Sequence, residues 1–98
     1  MANYGTNKIC EAAHILVATN GKRAGLVDAW ECGLMHVLEK DVSPHIWEQL
    51  SVFKSEISTF SPTKHHSQVF YCIQSMHHTK LNVIRRNIVD WAIELGNL

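Results

Sequence analysis

The chain has 98 residues, 46% hydrophobic and 18% charged, and its nine basic and nine acidic residues cancel. That length holds one domain with a single modest core, and the composition is that of a globular chain rather than a disordered one. A dedicated duplex-DNA binder needs surplus positive charge for phosphates, and no apolar run here approaches a membrane span, so both classes are disfavoured at the outset.

The opening "MANYGTNK" is polar and has no apolar signal core behind it. Thr6 can cap a first helix over Asn7 to Thr19, which Asn20-Gly21 stops. A second helical run covers Leu26 to Lys40. Ser43-Pro44 is a helix start, since Ser accepts from exposed amides and Pro suits the first turn. Behind it Ile46, Leu50, Phe53 and Ile57 repeat at helical spacing. Ser61-Pro62 repeats the start signal. The run that follows, 68–74, also suits a strand by composition, but Val69, Ile73 and Met76 keep a 3.6 period and favour helix. Thr79 can cap the last helix, where Leu81, Ile84, Ile88, Trp91 and Leu95 share a face before Gly96. The expectation is an all-α single domain over 1–98, a compact bundle of four to five short helices, with Leu16, Trp30, Leu50, Phe53, Ile84, Ile88 and Trp91 in its core.

Two Cys–His pairs share one spacing: Cys10 with His14, and Cys32 with His36. Together they match the inventory of a tetrahedral zinc site. Projected at about 100° per residue, however, the pairs fall on opposite flanks of two antiparallel helices. They are therefore expected to be wall residues, with Cys acting as a small hydrophobe. The doublets His65-His66 and His77-His78 diverge around a helix and so rarely offer two ligands to one ion, and a His/Cys transition-metal binder stands as a further alternative. Three cysteines, an odd number without a secretory signal, fit a reducing cytoplasm and no disulfide framework.

Charge is unevenly distributed along the chain. From Asp28 to Glu56 there are six acidic residues against two lysines, whereas between Glu56 and Asp90 the charged side chains are Lys64, Lys80, Arg85 and Arg86. The basic segment 64–86 fits either an acidic protein surface or a nucleic-acid backbone. No glycine-rich phosphate loop, paired-carboxylate motif or nucleophile elbow is present, so neither an enzymatic activity nor a cofactor is expected. Trp47 sits a quarter-turn off the Ile46–Leu50–Phe53 stripe, and Val89 and Ile93 lie off the core face of the last helix. Off-face apolar groups rimmed by Arg85 and Arg86 are the type that anchors a protein interface. The expected partner is a larger protein with an acidic or apolar docking surface, with no membrane involved.

Tyr4-Gly5, Ala12-Ala13, Gly21-Lys22 and "AWE" at Ala29-Trp30-Glu31, with the closing "LNVIRRNIVDWAIELGNL", resemble an uncharacterised family of short bacterial proteins. The resemblance covers about a third of the chain, and the middle lacks that family's Gly-Cys-Pro segment. It implies a bacterial or phage source and carries no activity. For a short, neutral chain of that kind, an inhibitor, immunity protein or regulatory adaptor is the expected role.

Overall fold

The computed structural model describes residues 4–95, and each expected apolar stripe lies on a helix. The first helix, α1 (Tyr4–Ala18), begins a turn earlier than its capping signal suggested. Thr6 is therefore buried inside the helix rather than capping it. Gly5 lies against Asp41, whose side chain a Cβ at this position would strike. The far end behaves as the sequence indicates. Asn20 and Gly21 take φ of 55° and 66°, and the Gly21 amide closes back onto the Leu16 carbonyl at 2.8 Å.

The second helix is shorter than the expected Leu26 to Lys40. α2 spans Arg23–Cys32 and stops at Gly33, after which the chain makes 3-10 turns at Leu34–His36 and Glu39–Asp41. Gly33 is the C-cap, its amide on the Ala29 carbonyl, and it is packed against α1: a Cβ there would lie 2.6 Å from the Lys8 carbonyl and 3.0 Å from that of Ala29, so only glycine fits where the chain leaves the helix. The detour seats Leu34 and Val37 in the core.

α3 (Pro44–Ser58) follows, with Ile46, Leu50, Phe53 and Ile57 all buried. Its Ser43 precedes Pro44 as expected, but the hydroxyl is not a cap and instead donates to Glu94 Oε2 at 3.4 Å. The segment 68–74 is helical: α4 covers Gln68–Ser75. It starts later than the Ser61-Pro62 signal, and Ser67 is its cap, accepting from the Phe70 amide at 3.4 Å. Thr63 orders the approach to it, its hydroxyl oxygen accepting from the His66 amide at 3.2 Å. α5 (His78–Glu94) has His77 rather than Thr79 in the flanking position. Gly96, expected to end this helix, lies outside the described residues.

Helix directions follow from a few cross-links. Arg23, at the start of α2, donates to the Ile73 carbonyl late in α4 at 2.6 Å. At the other end of the pair Ser67 donates to Glu31 Oε1 at 2.9 Å, so α2 and α4 are antiparallel. α5 runs antiparallel to α3: Lys80 Nζ meets Glu56 Oε1 at 2.8 Å, Trp91 Nε1 donates to Gln49 Oε1 at 2.6 Å, and His45 Nε2 is 2.7 Å from Glu94 Oε1. α5 also packs on α1, with Arg85 Nε reaching the Gly21 carbonyl at 2.6 Å. All seven residues expected in the core are buried, and Trp30 meets Phe53 edge to face at 5.3 Å between centroids. Among the described residues no helix is long and apolar enough to cross a membrane.

Candidate functional site

The candidate contact residues divide between two faces. Trp47 lies near the start of α3 and is half-buried against the core. Lys54, one helical stretch later, holds its Nζ 4.7 Å above the Trp47 ring and donates to the Val37 carbonyl at 3.0 Å. Burial lowers the Lys54 pKa from its ordinary value. Met35 and Leu38, the exposed neighbours of Val37, border this face.

Arg86, Val89 and Ile93 occupy a second face. Spaced three and four apart, they line one flank of α5. Lys80, Trp91 and Glu94 on the opposite flank face α3; by projection the half-buried Val89 lies nearest the α1 side, and Arg86 and Ile93 point to solvent. Val89 is half-buried, Arg86 is exposed, and Ile93 leaves 56% of its area to solvent. Arg85 stands one step inward. Its guanidinium bonds the Gly21 carbonyl at 2.6 Å and Asn82 Oδ1 at 2.8 Å, so it is committed to the fold as well as available at the rim.

The α5 side of α1 carries further groups that the sequence reading treated separately. Lys8 reaches the Cys32 carbonyl at 3.4 Å, and Ala12 lies beside Gly33, which assigns that side of α1 to α2. Cys10, His14 and Val17 lie on the other side by helical projection. Val17 is the most exposed large apolar residue among those described, at 65%, and stands one turn before the carbonyl that Arg85 grips. Its place in the patch is hidden in the sequence, because it sits near the apolar face of α1 and reads there as core.

The same projection separates the two Cys–His pairs. Cys10 and His14 lie on the α5 side of α1, while Cys32 is at the end of α2 beside Lys8. His36 Nε2 is 3.0 Å from the Glu31 carbonyl. Among the described residues no group of three or more His, Cys, Asp or Glu side chains could hold a metal ion. The basic segment is also dispersed: Lys80 is paired with Glu56, Arg85 is tied to Gly21 and Asn82, and Lys64 is in the loop before α4.

A cleft of about 340 Å³ opens on the opposite side of the molecule, where the end of α3, the end of α4 and the start of α5 meet. Cys72 forms part of its wall, and burial together with the Glu56 carboxylate raises that thiol to about 11, against a smaller opposing effect of Lys80. Burial likewise raises Cys10. Cys32 is exposed. Comparison of the chain with protein-family models, with curated proteins and with solved structures finds no match.

Proposed function

We propose that this is a small non-enzymatic domain that docks on a larger protein through the α1–α5 flank. The role that fits is an inhibitor, immunity protein or regulatory adaptor of bacterial or phage origin. The observation behind the reading is that Val17 on α1 and Ile93 on α5, two helices that pack together, leave 65% and 56% of their area to solvent. Isolated exposed apolar residues are ordinary, but Ile93 shares its flank of α5 with Val89 and Arg86, an apolar strip with a basic neighbour. A domain of this size must draw affinity from few residues, and apolar anchors next to arginine do so effectively. The basic rim selects a partner whose docking surface is acidic around an apolar centre.

Nucleic-acid binding is the weaker reading, because Lys80 and Arg85 are already engaged within the domain and the four cations do not form one stripe.

The test is capture of partners from a bacterial lysate by the parent and by variants, followed by kinetics on the captured protein. Ile93→Asp should raise the dissociation rate by about tenfold or more. Arg86→Glu should lower the association rate, with the loss fading at high salt. Trp47→Ala is the comparison: a loss there while Ile93→Asp binds like the parent moves the docking face to the Trp47–Leu38 side. Binding that falls steeply with salt and requires nucleic acid overturns the protein-docking reading.

A further inference from the structure

The cleft at the α3–α4–α5 junction differs in character from the docking patch. Its volume of about 340 Å³ lies at the low end for small-ligand sites, and the cleft is open to solvent along one side. The exposed lining is mainly apolar, and Phe60, Cys72 and Met76 are its apolar residues. Sulfur and ring edges favour contact with a flat aromatic guest.

The polar groups at its mouth are partly spoken for. Glu56 and Lys80 pair at 2.8 Å, so their charges cancel, and a charged ligand would have to break that pair. Thr59 donates its hydroxyl hydrogen to the Glu56 carbonyl at 2.7 Å, and Ser75 donates its own to the Cys72 carbonyl at 2.7 Å. What both hydroxyls still offer is acceptor capacity. His77 also lines the cleft, and its ring offers a further nitrogen partner for such a donor. A matching guest is therefore uncharged, planar, and carries an N–H or O–H donor.

We propose that the cleft between the ends of α3 and α4 and the start of α5 binds a neutral aromatic small molecule of bicyclic size bearing a hydrogen-bond donor. Phe60, Cys72 and Met76 hold the ring, while Thr59, Ser75 or His77 accepts from the donor. Cys72 serves as a soft, protonated wall here. No covalent step is involved.

Indole is the probe, titrated into the isotope-labelled full chain and followed by amide chemical shifts. Saturable shifts centred on Phe60, Cys72, Met76 and His77, with a Kd of about 1 mM or tighter, are expected from the ligand's size. Indole-3-carboxylate and tryptamine should each bind about tenfold or more weakly, since each brings a charge to a balanced rim. Benzothiophene, which keeps the shape and loses the N–H, should bind less tightly than indole. Thr59→Trp places a ring over the mouth from an exposed position and should weaken indole about tenfold or more; if that variant does not fold, Ser75→Phe blocks the same mouth. Shifts that do not saturate, that centre elsewhere, or that persist in a folded blocking variant overturn the proposal. Equal binding of the charged analogues overturns the assigned ligand class.

Discussion

Trp91 donates its indole N–H to Gln49 Oε1 at 2.6 Å, and this bond ties the middle of α3 to the last turns of α5. Trp91 is buried while Gln49 is exposed, so an apolar side chain at 49 would cover the indole N–H and keep water from replacing the lost acceptor. Gln49→Leu should therefore cost about 1–3 kcal/mol, the penalty of a buried orphan donor. Urea unfolding of parent and variant measures it. A loss near zero would mean that the indole has another outlet.

Phe53 sits at the centre of the packing, edge-on to Trp30 at 5.3 Å. Phe53→Ala removes a large buried side chain and that ring contact together, and should cost roughly 3–5 kcal/mol. For a 98-residue domain, a loss of that size consumes much of the usual stability. A measured loss below about 1 kcal/mol would place the ring outside the core.

Gly33→Ala tests the helix break directly. The added methyl carbon would lie 2.6 Å from the Lys8 carbonyl oxygen, a backbone atom that cannot swing aside. Destabilisation of about 1–3 kcal/mol is expected from overpacking, although alanine favours helix over glycine. A stabilised variant would show that α2 can continue past Cys32.

The pH dependence of stability should carry the signature of Cys72. Its thiol titrates near 9.0 when free of the fold and at about 11 within it, chiefly because burial penalises the thiolate. Below pH 9 both states keep the proton and the group has no effect on the pH dependence. Between about 9 and 11 the unfolded chain releases a proton that the folded chain retains, so stability falls as pH rises. Thermal unfolding over that window should fall more steeply for the parent than for Cys72→Ala. At pH 8 a thiol reagent should label exposed Cys32 first and leave Cys72 unreacted until the protein unfolds.

Periodic apolar residues carried most of the fold into the sequence. Ile46, Leu50, Phe53 and Ile57 identify a helix and its buried face without any knowledge of neighbours, and the same holds for Leu81, Ile84, Ile88 and Trp91. Capping signals were less informative. Ser43, Ser61, Ser67 and Thr79 are all able to cap, and only the finished packing leaves Ser67 with its side chain on a backbone amide. Gly33 could have been read as a stop by the rule applied to Gly21, but the close approach that makes glycine obligatory there, to the Lys8 carbonyl, lies on another helix. The proposed docking surface was half legible: Arg86, Val89 and Ile93 stand off the core face of one helix, but the exposure of Val17 on α1 appears only in the folded chain. The cleft could not be read at all, since it exists only where three helix ends meet.

The pairing of α5 with α1 also bears on how the chain reaches its fold. These helices stand at opposite ends of the described sequence, and Arg85 closes a span of 64 positions when it grips Gly21. Bringing such distant segments together costs loop-closure entropy before any contact rewards it, whereas α1 and α2 meet across a turn of a few residues. The α1–α2 hairpin is thus expected to form first and α5 to dock last. Substitutions in α5 such as Ile88→Val should then act mainly on the unfolding rate, and those at Ala12 or Ala29 mainly on the folding rate. Because the proposed docking patch straddles α1 and α5, it comes into being only in that last step, and a partner that requires it would bind the finished molecule and no earlier form.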